Sequence, residues 1–189
     1  MYLFFDTETT GLPKNWKAPV EDIDNWPRLV QIGWVLTNNV GERIETQDFI
    51  VKPEGFTIPT VASNVHRITT ERAMAEGRDL KEILNQFNAL ISESDFIVAH
   101  NIAFDEKIIG AEFLRNDIST EFWNKNQFCT MKASTDYCKI PGPYGYKWPK
   151  LSELHIKLFG EDFEGAHDAM ADINATSDCF WEMRKRKLI

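Results

Sequence analysis

Residues 1–12, MYLFFDTETTGL, open with the apolar run Tyr2–Phe5 and pass directly into two acids, Asp6 and Glu8, before the turn-forming Gly11. Four consecutive bulky apolar residues predict a buried strand, and two acids two positions apart leave the same side of it, about 6–7 Å from one another along the chain. Carboxylates brought together at the mouth of a buried strand repel unless a cation neutralises them, and Mg²⁺ or Mn²⁺ suits such hard oxygen donors. A solvated strand end is the competing reading of those two positions taken alone.

Outward from that strand, LVQIGWVLT (29–37) and RIETQDFIV (43–51) flank the turn-like NNVGE, which predicts a three-stranded meander. The segment 13–28, PKNWKAPVEDIDNWPR, carries three prolines and two tryptophans and reads as a long ordered loop beside a site. From Thr60 to Ser92 the pattern is helical, with Leu80, Ile83, Leu84, Phe87, Leu90 and Ile91 at three-and-four spacing. FIVAH (96–100) is a further strand feeding a helix over 103–114, and QFCT (127–130) is a candidate edge strand. KIPGPYGYKWPK (139–150) is marked as loop by its Pro and Gly. Leu151, Leu154, Ile156 and Leu158 support one helix, and a last one is expected from about Asp168 to Lys185. Strands first, then strands alternating with helices, predict a single α/β domain over 1–189 with a mixed five-stranded sheet, a meander followed by parallel strands, flanked by helices.

Composition narrows the function. The chain has 189 residues, 43% apolar and 26% charged, enough for a real core. No run approaches a membrane span or a signal h-region, so the expected address is cytoplasmic with no membrane partner. Cys129, Cys138 and Cys179 are odd in number and lack metal spacing, which fits reduced, packed thiols. A net charge of −8 argues against a broad phosphate-binding face, so any nucleic acid must be gripped locally or through metal.

Two further clusters supply acids. In HNIAFD (100–105), Asp105 opens a helix just after an apolar strand, with His100 and Asn101 at the mouth where ligands approach an open sheet. In GAHDAMADINA (165–175), Asp172 lies inside the last helix, one turn beyond Asp168, with His167 five residues before it. Each acid alone could merely complement a helix dipole. Four acids from three elements supply ligands for two divalent cations and leave room for a phosphate, which makes a two-metal phosphodiesterase.

DTETTG, HNIAFD and HDAMAD stand in the order of the three motifs of the DEDD exonucleases, and the chain is similar to that family over nearly its whole length. The resemblance implies an RNase H-like fold and 3′-to-5′ removal of nucleoside 5′-monophosphates. It makes Asp6, Glu8, Asp105 and Asp172 the metal ligands, with one cation between Asp6 and Asp172, and His167 the general base. The tyrosine subtype places its base four residues before the last Asp, where this chain has Asp168, so the chain resembles the histidine (DEDDh, DnaQ-like) subtype that includes the proofreading subunits of bacterial replicative polymerases. By the same resemblance Thr9, Thr10, Gly11 and Leu12 surround the terminal base. NVHRIT places His66 beside that nucleotide, where a packed structural His is the alternative, and Phe104, His100 and Asn101 line the same end. The implied partners are 3′ ends of single-stranded or frayed DNA, with RNA as the alternative, and a polymerase or repair assembly is open. A non-catalytic docking module on the same fold is the contrasting reading, opposed by the full set of acids. Oligomeric state is left unassigned.

Overall fold

The computed structural model describes residues 1–165 and 169–189. Its sheet has five strands, β1 (Tyr2–Thr9), β2 (Leu29–Thr37), β3 (Arg43–Ile50), β4 (Phe96–Ala99) and β5 (Asn126–Cys129), in the order β3-β2-β1-β4-β5. β1 pairs antiparallel with β2 and parallel with β4, β2 pairs antiparallel with β3, and β4 pairs parallel with β5. The expected meander and the two parallel additions are therefore both present. Every residue of β2 is buried, as its largely apolar sequence requires for a strand covered on both faces, whereas β3 is a largely exposed edge.

The helices are α1 (Thr60–His66), α2 (Thr70–Glu76), α3 (Leu80–Glu93), α4 (Ile102–Arg115), α5 (Thr130–Ala133), α6 (Thr135–Cys138), α7 (Leu151–Phe159) and α8 (Ala169–Lys185). The helical stretch expected over 60–92 is thus three helices, with Arg67 at φ 63° ending the first and the Thr69 hydroxyl capping the second. Segment 139–150 is more than loop: β6 (Pro141–Gly142) and β7 (Gly145–Tyr146) pair as a short hairpin. Ile156 was expected on the buried side of α7, but Leu154 and Leu158 face inward and Ile156 faces solvent. The three cysteines are free, Cys138 and Cys179 packed together in one apolar cluster. Among the described residues no helix is long and apolar enough to cross a membrane.

Alternation along β1 divides the core. Leu3 and Phe5 join Phe87, Ile108 and Phe113 from α3 and α4 on one face, while Tyr2 and Phe4 join Ile173 and Phe180 from α8 on the other. Phe4 meets Phe180 edge-on at 5.3 Å between ring centroids, and Tyr2 meets Trp181 at 5.2 Å. Buried side chains of this size contribute about 1.5–3 kcal/mol each, and aromatic pairs about 0.5–1.5 kcal/mol more. These contacts clamp α8 against β1 and β2.

Candidate active site

β1 extends through its acids to Thr9, so Asp6 and Glu8 are strand residues and not a tail beyond it. Being even-numbered, they share the face of Tyr2 and Phe4, under α8. Asp6 pairs with Gly33 of β2, and a β-carbon on Gly33 would stand 2.3 Å from Ile173 Cδ1. Glycine there permits the close approach of α8 that brings Asp172, one residue before Ile173, over the two acids. Oxygens of Asp6, Glu8 and Asp172 lie within 4.8 Å of one another, a spacing that one divalent ion can bridge. Burial, then the charges of Asp105, Asp172 and Glu8, hold the Asp6 pKa well above the usual carboxylate range. Such a cluster favours any cation that relieves it.

Asp105 comes from the opposite layer. It is buried in the first turn of α4, and one of its oxygens accepts from the Thr7 hydroxyl at 2.6 Å and the Thr7 backbone N–H at 3.2 Å. Thr7 points to the α4 side because it alternates with Asp6 and Glu8, so a single tripeptide serves acids on both sides of the sheet. Burial raises the Asp105 pKa to about 7, against the bonds from Thr7 and its own backbone, which favour the ionised form. Asp105 stands outside the tight group of three acids but lines the same cleft of about 570 Å³. His167 and Asp168 lie outside the described residues.

His100, Asn101 and Phe104 line this cleft, with Lys150, Leu151 and Phe163 across from the acids' strand. Both His100 nitrogens are engaged internally: Nδ1 lies 2.9 Å from Thr130 Oγ1 and Nε2 lies 3.0 Å from the Pro149 carbonyl oxygen. That carbonyl can only accept, so Nε2 carries the proton, and burial lowers the His100 pKa to about 4. The residue expected to meet substrate therefore ties β4 to the segment before α7, keeping its ring edge at the cleft wall. Asn101 adopts the left-handed conformation, φ 73°, at the entry to α4. Phe104 packs against the exposed Trp16 at 5.6 Å.

Directly after the acids, where β1 ends, the TTGL turn is internally braced. The Thr9 hydroxyl donates to the Gly11 carbonyl at 2.7 Å, and the Thr10 hydroxyl accepts from Arg28 N at 3.0 Å. Leu12 is left 72% exposed, an apolar side chain with no packing partner that buries it. His66 is buried beside Thr9, its Nδ1 accepting from Ile68 N at 3.2 Å. Its proton therefore sits on Nε2, which is buried and has no hydrogen bond in good geometry, although the nearby Thr9 backbone favours the charged form against burial. Thr9, His66, Gly11 and Leu12 are thus brought into one neighbourhood.

Sequence reasoning missed Thr7 and Glu112. The signal for Thr7 was the alternation itself, a hydroxyl between two acids on a strand. Glu112 is seven residues beyond Asp105, on the same buried side of α4, and is fully buried. One of its oxygens accepts from Arg28 Nε at 2.9 Å and Leu29 N at 3.0 Å and pairs with Arg115 at 3.0 Å. Arg115 in turn donates to the carbonyls of Ile23 and Trp26. This network fastens the 13–28 loop, and through Arg28 the TTGL turn, to the helix that carries Asp105.

Comparison with known proteins agrees with this architecture. The DNA polymerase III PolC-type of Mycoplasmopsis pulmonis (strain UAB CTIP) is 31% identical over 157 residues, 83% of this chain and 10% of that protein. The PolC-type polymerase of Staphylococcus aureus is 26% identical over 184 residues, 96% of this chain and 11% of its own length. Among solved structures, E. coli exonuclease I in complex with a dA16 oligonucleotide superposes with a TM-score of 0.78 at 23% identity, over 99% of this chain and 42% of that one. The zinc-bound form of an E. coli exonuclease I–single-stranded DNA complex matches with a TM-score of 0.78 at 22% identity, covering 99% and 41%. The chain spans about a tenth of the curated relatives and about two-fifths of these structures. The structural neighbours establish the RNase H-like fold. With the exonuclease family model RNase_T matching residues 3–180, the chain belongs to that exonuclease family.

Proposed function

We propose that this chain is a two-metal-ion 3′-to-5′ exonuclease of the DEDDh type, one domain over 1–189 that works in the cytoplasm on single-stranded or frayed 3′ ends and prefers DNA. The observation that carries the reading is the convergence of Asp6, Glu8 and Asp172 within 4.8 Å, from a strand and a helix that a close-packed glycine brings together. An all-carboxylate donor set fits Mg²⁺ or Mn²⁺. Asp6, Glu8 and Asp172 would hold one cation and Asp105, steadied by Thr7, would complete a second position. Bound cations supply electrostatic stabilisation of a pentacovalent phosphate and lower the pKa of water.

The chain's own groups do the rest. His167, five residues before Asp172, accepts the proton of the attacking water, a role that requires its neutral form. Leu12 wedges beneath the terminal base, with Thr9, Thr10 and Gly11 around it, His66 packed behind Thr9 and Phe104 as an apolar wall of the cleft. Asn101 lies at the cleft mouth, and His100 braces its wall. The net charge of −8 confines phosphate recognition to this cleft and its immediate surroundings. The solved complex of exonuclease I with dA16 and the relationship to PolC-type polymerases support single-stranded DNA as the substrate class and a replication or repair setting.

The test is digestion of 5′-labelled single-stranded DNA and its RNA counterpart with Mg²⁺, Mn²⁺ or EDTA, for wild type, Asp6→Ala and His167→Ala. A metal-dependent ladder shortening from the 3′ end, absent in both variants, is expected, with DNA the faster substrate. Folded wild-type protein that leaves both polymers intact would refute the reading and favour a docking module.

A further inference from the structure

Segment 139–150 is built unlike the rest of the surface. It carries Lys139, Lys147 and Lys150 and no acid, in a chain of net charge −8. Its three large aromatic side chains face solvent: Tyr144 is 104% exposed, Tyr146 51% and Trp148 61%. A bare aromatic cluster of this kind costs solubility unless something covers it, and isolated exposed apolar residues are common but a run of three on one arm is not.

The arm is held in shape. β6 and β7 pair with Pro141 opposite Tyr146, Gly145 takes φ 122° to close the turn, and Lys147 N donates to the Ile140 carbonyl at 2.9 Å. Lys147 Nζ contacts both Glu153 oxygens at 2.6 and 2.8 Å, and Glu153 also accepts from Lys150 N at 2.7 Å, which fixes the hairpin to the first turn of α7. It is also continuous with the cleft: Pro149 accepts from His100, and Lys150 and Leu151 line the acidic pocket.

Resting on the exonuclease reading, we infer that this arm is a stacking platform for single-stranded nucleic acid, taking bases of the nucleotides upstream of the one held in the cleft. Flat aromatic rings offer every base a stacking partner regardless of sequence, and neighbouring lysines meet the phosphates between them. Lys139 and Lys150 are the cations available for this, since Lys147 is committed to Glu153. With a net charge of −8 on the chain as a whole, the arm and the cleft together set the path of the strand nearest the acids.

The experiment compares wild type with Tyr144→Ala/Tyr146→Ala/Trp148→Ala by fluorescence anisotropy of labelled oligothymidylates in Ca²⁺, one of roughly three nucleotides and one of roughly twelve. The exposed sites predict an unchanged melting temperature. Loss of even one base–aromatic stack weakens binding of the longer strand by about fivefold or more, while the shorter strand, confined to the cleft, shifts by less than about twofold. A second variant, Tyr144→Phe/Tyr146→Phe/Trp148→Phe, keeps the rings and restores the long-strand affinity. Equal affinities of the alanine variant and wild type for the longer strand overturn the inference and assign the arm to a protein partner. Equal losses for both lengths also overturn it, by making the arm a prop for the cleft. Binding is read without turnover, so failure of the nuclease assay and failure of the platform give different results.

Discussion

Replacing Glu112 by Gln tests how the cleft is held together. Glu112 faces two guanidiniums, Arg28 and Arg115, from a fully buried position. The amide keeps an oxygen for Leu29 N but removes the charge, leaving two adjacent cations with Asp24 near Arg115 as a remaining acid. Breaking a buried pair costs about 3–5 kcal/mol, and the lower end applies because Arg28 is 29% exposed and recovers some solvation. About 3 kcal/mol in a chain of this length lowers the melting temperature by roughly 6–12 °C. Because Arg28 N also donates to Thr10 Oγ1 and the Arg28 carbonyl accepts from Thr10 N, the TTGL turn loosens, and KM for an oligonucleotide should rise more than kcat falls. Differential scanning fluorimetry and steady-state digestion read both quantities. A melting temperature within 2 °C of wild type, with KM unchanged, would refute the argument that this network positions the turn.

Asp6→Asn should raise the melting temperature of the metal-free protein, since it removes one member of a mutually repelling cluster, while lowering turnover on the order of 10³-fold through loss of a metal ligand; a variant less stable than wild type in EDTA contradicts the clustering. Thr7→Val keeps the shape but deletes the 2.6 Å hydroxyl donor to Asp105, so Mn²⁺ affinity at pH 8 measured by calorimetry should fall about 10–100-fold, and an unchanged isotherm would show that Thr7 does not orient that acid. Stability in EDTA should fall as pH rises from 6.5 to 8. The raised Asp105 group contributes stability fully present below its ordinary value of 3.8 and lost as pH passes its folded value of about 7. His100 acts in the opposite sense, its contribution present above 6.5 and lost as pH falls through about 4, so it does not confuse that window. Mn²⁺ should stabilise more at pH 8 than at 6.5, because its ligands must be deprotonated, and a pH-independent shift in melting temperature would exclude these acids as its site.

The sequence by itself determined the strands, the class of fold and the three stretches that carry acids. Those features are local: an unbroken apolar run specifies a buried strand, three-and-four spacing a helix, and DTETTG, HNIAFD and HDAMAD are contiguous. Alternation along residues 2–9 even foretold that Asp6 and Glu8 share a face. Helix boundaries within 60–92 and the hairpin at 141–146 were less visible, because they depend on a left-handed Arg67 and on a Lys147–Glu153 pair that composition does not announce. Only the tertiary structure decided the rest. His100 looked like a substrate donor until Thr130 and Pro149, 30 and 49 residues downstream, were seen to occupy both its nitrogens. Nothing local marks Glu112, whose role appears only when Arg28, 84 residues earlier, and Arg115 fold onto it. A side chain's partners across the fold set its charge, tautomer and freedom to act, and those partners are chosen by packing between distant segments, as when the bare face of Gly33 admits α8 and delivers Asp172 to Asp6.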